Sequence, residues 1–595
     1  MHIIDFEPVG RRGKFSSELC LLDCARQLSV DIVSICGGVG NCERCKLQVI
    51  SGQVSDITPE ERAALSDSEL VQGYRLACMA YPLGDVKLYV PPESLTAPQR
   101  TQIEGLQVDV EPDPPVRRLQ AHLTPPTLEA PQADSQNLWN ALAEHGFSSG
   151  SIDFHVQRIL SQQLREDAWR VQVAVRGNEI IAIPSESARW LGLAVDIGTT
   201  KIAGYLLDME SGKTLASRGL MNPQISYGED VVSRIVAASK SPEDAARLQA
   251  VLAQAIDQMA SELCTEIGAL PTDILEMVAV GNTAIHHLFL GLPVRQLGLS
   301  PYVPAASAAM DVKAHEVGLN LAPGAYVHLL PNIAGYIGAD HVAMLLATRI
   351  ADAGGNNLAI DIGTNTEICL NCSGKMTSVS CASGPAFEGA HIKFGMRAAP
   401  GAIEHVRLEG ERLDIQTIAG EPPVGICGSG LLDVVAQLRL NQIVDRLGRM
   451  RPHRLVQEHG DMLEFILAER PGLDPVTISQ KDIRELQLAK AAIRLGIQAL
   501  VEAAGLQETD IEQVLIAGAF GTFIDVGSAM TIGMLPDLPL ERFQQVGNAA
   551  GTGARLALIS NREREKADQI ARRVGYIELA RIPNFSRKFA GAIRL

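Results

Sequence analysis

Apolar positions change their spacing several times along the chain, and each change marks a different kind of unit. From Ser16 to Leu28 they recur at helical intervals, inside a first stretch that otherwise reads, to about residue 90, as short strands and glycine-rich turns. Nine prolines between Pro91 and Pro131 then block helix and stiffen the backbone toward extended conformations, which predicts a linker. A helical pattern returns around Leu138–His145, and Trp169, Val171, Val173 and Val175 alternate as a strand does. Beyond Trp190, β-rich runs closed by Gly-Thr turns alternate with alanine-rich helical stretches, Ala245–Ile267 and Ile483–Ala504 among them, which is the texture of an α/β fold. Within it Leu193-Ala-Val-Asp-Ile-Gly-Thr199 returns 165 residues later as Leu358-Ala-Ile-Asp-Ile-Gly-Thr364, with six of seven positions identical, so duplicated lobes are expected. The pattern divides the chain into a module at 1–90, a linker at 91–135, a small α+β middle domain at 136–188 and an α/β region at 189–595 with lobes at about 189–340 and 341–595.

Composition narrows the partners. A net charge of −17 argues against general binding to nucleic acid or to an anionic membrane surface. No run of about 18 apolar residues occurs, and the first residues, MHIIDFEP, lack the basic and apolar stretches of a secretion signal, so a cytoplasmic protein is expected. Eleven cysteines in 595 residues are too sparse for a disulfide scaffold.

Four of them form a pattern. Cys36, Cys42 and Cys45 stand as C-x5-C-x2-C, with Cys78 following 33 residues later, close to the spacing that wraps a [2Fe-2S] cluster. Gly37, Gly38 and Gly40 permit the backbone to fold back so that amides donate to the sulfides. A four-thiolate zinc site is the competing reading, but it ordinarily pairs two C-x2-C knuckles and Cys78 has no near partner in sequence. The segment resembles the adrenodoxin-like ferredoxins, which implies a β-grasp α+β domain and a one-electron carrier of low potential. Cys20 and Cys24, four apart on a predicted helix, read as core, and the isolated Cys369 and Cys372 as inert thiols.

Each Asp-Ile-Gly-Thr segment closes an apolar run and is followed by another, which predicts a hairpin with an aspartate and hydroxyls at its tip. Asp196 and Asp361 are candidates to hold Mg²⁺, directly or through water. Gly198 and Gly363 let backbone approach phosphate, and Thr199, Thr200, Thr364 and Asn365 supply donors. Two such tips facing each other would grip a polyphosphate from both sides. The pattern resembles the superfamily of actin, sugar kinases and heat-shock chaperones, with its ribonuclease H-like fold. Under that resemblance the segments Gly335–Asp340 and Gly547–Gly553 match the two connecting helices, and Val514-Leu-Ile-Ala-Gly518-Ala-Phe-Gly521 the adenosine motif, with Gly518 and Gly521 shaping the pocket.

Other stretches stay open. Ser383–Gly389 and Gly425–Gly430 suit phosphate contact and tight turns equally. His286 and His287 point about 100° apart on a helix and read as cap and core rather than metal ligands. Asn222-Pro-Gln and Gly228-Glu-Asp230 offer groups able to position a hydrolytic water, with a solvated or capping role as the alternative, and no catalytic base is assigned.

An iron-sulfur module, a Pro-rich linker, a small middle domain and a duplicated ATPase together resemble the reductive activators of corrinoid proteins, over nearly the whole chain. The resemblance implies ATP-dependent transfer of one electron from the cluster to an inactive Co(II) corrinoid protein of a methyltransferase system, an external low-potential reductant, and a homodimer. Three alternatives remain at this stage: an activator of the 2-hydroxyacyl-CoA dehydratase type, a small-molecule kinase, and a redox-sensing ATP-dependent binding protein.

Overall fold

In the computed structural model, residues 1–7, 10–28, 30, 32, 45–91, 94, 105–106, 108–147, 149–228, 230–389, 391–410, 412–460, 462–470, 473–518 and 520–595 are described. The first module is a five-stranded sheet ordered Arg11–Phe15, His2–Glu7, Val86–Tyr89, Lys46–Ser51, Tyr74–Leu76. Its first and last-formed strands run parallel at the centre, with Ile4 opposite Val86 and Phe6 opposite Leu88, the β-grasp arrangement. The helix is shorter than its apolar spacing predicts, Leu21–Gln27 rather than 16–28, because the amides of Leu21 and Leu22 are drawn to the carbonyls of Ala80 and Ala77. Leu21, Leu22, Leu47, Leu76 and Leu88 close the core.

The stretch expected as linker at 91–135 is in part folded. Val116–His122 forms a strand antiparallel to Arg170–Arg176, in a sheet completed by Glu179–Ala182 and Ser151–Ile152. Prolines stop at 115 and resume at 125, which leaves one strand's length free to donate to a ladder. Helices Asp134–Ala143 and Phe154–Glu166 cover this sheet through Leu138, Leu142, Val156, Leu160 and Leu164. Arg176 fixes the unit to the first lobe, bonded to Glu276 at 2.9 Å and to Asp311 at 2.5 Å. Upstream, Asp113 exchanges backbone bonds with Ile559 and Asn561, so the linker's second half runs along the second lobe's helices.

The duplication is literal at the level of strands. Leu191–Ile197 is flanked by antiparallel Lys201–Asp208 and parallel Ile274–Gly281, and Asn356–Ile362 by antiparallel Thr366–Cys372 and parallel Gln513–Ala517. Each lobe builds a six-stranded sheet on this centre. Helix Ala339–Thr348 straddles the lobe boundary expected at 340, and the chain changes sheets only at 349–355. It packs on helix Ala549–Ile559 so closely that a Cβ at Gly553 would lie 2.1 Å from the Ala343 carbonyl oxygen. The two helices form the seam on which the lobes meet. Among the described residues no helix is long and apolar enough to cross a membrane.

Gly553→Ala is therefore expected to pry the seam apart and destabilise the ATPase-like region by about 1–3 kcal/mol. Gly354→Ala, where nothing lies within 4 Å, is the matched control. Thermal unfolding followed by circular dichroism should show an earlier transition for the first variant only.

Candidate cluster and nucleotide sites

Register explains half of the cysteine constellation. Lys46 lies opposite Leu76 in an antiparallel pair, and the Ala77 amide donates to the Cys45 carbonyl at 2.8 Å, so the strand ends place Cys45 beside Cys78 across 33 residues of sequence. Their sulfurs are 3.4 Å apart and both residues are buried. A disulfide would need about 2.05 Å, whereas two thiolates on one tetrahedral metal at about 2.3 Å each stand roughly 3.8 Å apart. The pair suits a shared iron. Cys36 and Cys42 lie outside the described residues. Cys20, Cys24 and Cys369 sit in the cores, where burial pushes the Cys24 and Cys369 thiols up to about 12.

The two hairpin tips face each other across a cavity of about 230 Å³. Asp196, Gly198, Thr199, Thr200, Asp361, Gly363, Thr364, Asn365 and Gly518 all line it. The hydroxyls of Thr200 and Thr364, one from each repeat, are 3.4 Å apart. Both donate to one carboxylate, Glu388, Thr200 to Oε2 at 2.5 Å and Thr364 to Oε1. Gly521 departs from expectation. It does not line the cavity; a Cβ there would meet the Ala517 carbonyl oxygen at 2.2 Å, so it serves the turn, and its own carbonyl accepts from Gln545 at 2.7 Å. Gly518 is at φ +91°, and a Cβ there would meet Asp361 Oδ1 at 2.6 Å, so the turn can cross this aspartate only as glycine. Beside it Phe387 and Phe520 stack with centroids 4.5 Å apart, an apolar flat wall on that side of the cavity.

The first tip is held from behind. Asn222 Nδ2 donates to the Gly198 carbonyl at 2.9 Å, the fully buried Arg234 donates to the Thr199 carbonyl, and Asn282 Nδ2 donates to the Thr199 hydroxyl at 3.0 Å. Asn222 is thus a clamp. Gln224 bonds the Leu248 carbonyl and Asp230 caps helix Val231–Ala238, so neither faces a substrate water; Glu229 lies outside the described residues. His287 accepts from the Ala305 amide and donates to the Thr283 carbonyl, a core role, and His286 beside it is buried. The open question about Gly425–Gly430 resolves toward the cavity: the stretch starts helix Gly428–Leu440, whose first residues Gly428 and Ser429 line the cleft, so the positive end of the helix dipole faces it. Ser383–Gly389 contributes Phe387 and Glu388.

Asp340 and Glu367 join the two aspartates on the cavity floor. Burial lifts Asp196 to about 6, against a bond from Asn548 at 2.9 Å. Burial and then the charge of Asp196 lift Asp361 to about 7, and burial with both aspartates raises Asp340. Glu367 is raised by burial and by Asp340 and Asp361. Like charges gathered in this way call for a cation. Among the described residues no three His, Cys, Asp or Glu side chains converge as direct ligands, so an ion here would keep much of its own water, as Mg²⁺ commonly does. The donor set fits a hydrated divalent cation.

The ferredoxin-like module reaches this same cavity. Arg397, which lines it, donates to Glu7 at 3.2 Å, and its Nε lies 4.0 Å from Glu388. Arg11 adds bonds to the carbonyls of Gly395 and Val424.

Comparison with known proteins agrees with this anatomy. The corrinoid activation enzyme RamQ of Eubacterium limosum is 32% identical over 588 residues, 96% of this chain and 95% of that protein. The chain belongs to the RACo family. Family models match in order: a 2Fe-2S iron-sulfur cluster binding domain at residues 7–83, the RACo linker region at 105–188, the RACo middle region at 191–353, and the C-terminal domain of RACo, the ASKHA domain, at 355–595. A solved reductive activator for corrinoid, iron-sulfur protein superposes with a TM-score of 0.73 at 34% identity, covering 100% of this chain and 98% of that one. The [Co(II) methylated amine-specific corrinoid protein] reductase of Methanosarcina barkeri is 26% identical over 415 residues, 64% of this chain and 72% of that protein. The fold expected from sequence, a ferredoxin-like module joined to an actin-like ATPase fold, is the RACo fold, with its [2Fe-2S] module and its ATP-binding ASKHA domain.

Sequence reading reached Glu388 only as part of the open stretch Ser383–Gly389, and missed Glu367, Arg397, the bracing role of Asn282 and the role of Asp340 as a floor carboxylate. For Asp340 and Asn548 the available signal is their place at the start of the two connecting helices. For the floor itself the sign of the pH effect is determined. Unfolded aspartates titrate near 3.9, and the folded values are raised, so their protonated forms favour the fold at low pH and this contribution is lost as pH rises from about 4 to about 7. Divalent cation should reverse the loss. Added Mg²⁺ is expected to raise the unfolding temperature clearly at about pH 8 and little at about pH 5, measured by scanning fluorimetry.

Proposed function

We propose that this protein is an ATP-dependent reductive activator, passing one electron from its [2Fe-2S] cluster to an inactive Co(II) corrinoid protein and so regenerating Co(I) for methyl transfer. The observation that carries the reading is the buried ion pair of Glu7 and Arg397, which joins the iron-sulfur module to the nucleotide cavity through one guanidinium. Family membership supplies the class of partner.

Cys36, Cys42, Cys45 and Cys78 would hold the cluster, which would supply a one-electron couple of low potential. The chain's own residues do the rest. Thr199, Thr200, Thr364 and Asn365 donate to the polyphosphate, the helix start at Gly428 presents amides, and Gly518 with the Phe387–Phe520 wall receives the purine. Asp196, Asp340 and Asp361 would hold Mg²⁺, whose charge would offset that of the polyphosphate. For one electron each 59 mV of unfavourable potential costs about 1.4 kcal/mol, and a preference of a few kcal/mol between two docked states covers a gap of that size. Arg397 is the group through which such a preference passes, because Glu7 and the cavity share it.

The protein works in the cytoplasm as a homodimer and draws on an external low-potential reductant. An activator of the 2-hydroxyacyl-CoA dehydratase type is disfavoured by the ferredoxin module at the N-terminus. A small-molecule kinase is disfavoured because it has no use for the iron-sulfur module that Arg397 ties to the cavity.

Anaerobic, reduced protein mixed with a Co(II) corrinoid protein is expected to develop the Co(I) absorption band with Mg-ATP and to fall far short of it without. Co(I) forming at equal rate and extent in both arms would refute ATP dependence, and no Co(I) in either would refute the substrate class.

A further inference from the structure

The nucleotide reading leaves unassigned the group that acts on the attacking water. The four floor carboxylates are poor choices: Asp196 is engaged by Asn548, and together they are the set read above as holding the cation. Glu388 is placed differently. It comes from neither hairpin but from the short helical turn Pro385–Glu388, and it reaches the gap between the two tips. Its two oxygens are shared out, one to the Thr200 hydroxyl of the first repeat and one to the Thr364 hydroxyl of the second. Those hydroxyls are the donors that meet the polyphosphate. Its side chain keeps 21% exposure at the cavity, and Arg397 Nε lies 4.0 Å from Oε2, the oxygen that also accepts from Thr200.

We propose that Glu388 is the catalytic carboxylate of ATP hydrolysis, orienting the attacking water beside the terminal phosphate and accepting its proton. When the phosphate takes the hydroxyls of Thr200 and Thr364, the oxygens of Glu388 are left at the phosphate's edge with a water as their remaining donor. The water oxygen forms a bond to the γ-phosphorus, the bond from that phosphorus to the β,γ-bridging oxygen breaks, ADP leaves with the electron pair, and the water's proton passes to Glu388. No oxidant or further reactant is required. Arg397 is a positioning residue here, its charge set beside Glu388 Oε2 in the same cavity wall; because Glu7 holds the same guanidinium, docking of the iron-sulfur module bears directly on the catalytic group.

The inference rests on the ATPase reading of the cavity but not on the corrinoid partner. ATP hydrolysis by the full-length protein alone tests it, so a protein that hydrolyses ATP yet reduces no corrinoid protein would sink the proposed function and leave Glu388 to be judged. Glu388→Gln is expected to lower kcat by about 100-fold or more, with KM for ATP changed less than about threefold and with cluster absorption and binding of a fluorescent ATP analogue retained. Glu388→Ala should regain turnover as formate is added, a small carboxylate standing in for the missing one. A Glu388→Gln protein with kcat near wild type would overturn the proposal, above all if its KM falls, since Glu388 would then be only an anion that fills the empty phosphate seat. A Glu388→Ala protein whose lost turnover formate does not restore would overturn the proton-accepting role.

Discussion

One guanidinium lies between two carboxylates that belong to different parts of the chain, and the logic of the molecule passes through it. Arg397 is 8% exposed, its partner Glu7 1%. A buried ion pair of this kind adds little net stability, because desolvation offsets much of the attraction, but breaking it by removing one partner leaves a charge that costs about 3–5 kcal/mol. Its value is specification. It fixes which face of the iron-sulfur module meets the second lobe, and does so at the edge of the nucleotide cavity and not at a remote surface. Arg11, bonded to the Gly395 and Val424 carbonyls, holds the same face by backbone contacts that carry no comparable charge.

The cavity is built by duplication and then made asymmetric. Two hairpins of nearly identical sequence present Asp196 and Asp361, Thr200 and Thr364, from opposite sides. Alone they would give a symmetric anion clamp. Asn222, Arg234 and Asn282 brace the first tip and Ser383 the second, but it is the second that is crossed by the Gly518 turn and walled by Phe387 and Phe520. A nucleotide has one phosphate end and one purine end, and the unequal surroundings of equal hairpins match that polarity.

What sequence made legible follows from how local each signal is. The hairpins were readable because aspartate, glycine and threonine stand in one heptapeptide, and the repeat supplied its own confirmation. The cysteines were readable because three of four lie within ten residues. Glu388, Arg397, Asn282 and Glu367 come from separate segments, and only the fold brings them to one cavity, so no spacing could announce them. The strand at Val116–His122 was hidden by the prolines on either side, whose stiffening was read as extending through the gap between them. Gly521 shares a motif with Gly518, and sequence does not separate the two roles: Gly518 borders the cavity, whereas Gly521 packs against the Ala517 carbonyl within the turn.

The central claim is that iron-sulfur module and nucleotide cavity communicate through Arg397. Replacing Glu7 with glutamine removes the charge that ties the module to this guanidinium while leaving the shape nearly unchanged. The measurement is the ratio of electron-transfer rates to a Co(II) corrinoid protein with and without Mg-ATP, in wild type and in Glu7→Gln, each carrying its full cluster and binding ATP. The account predicts that the ratio collapses toward one in the variant; a ratio equal to that of wild type would contradict it.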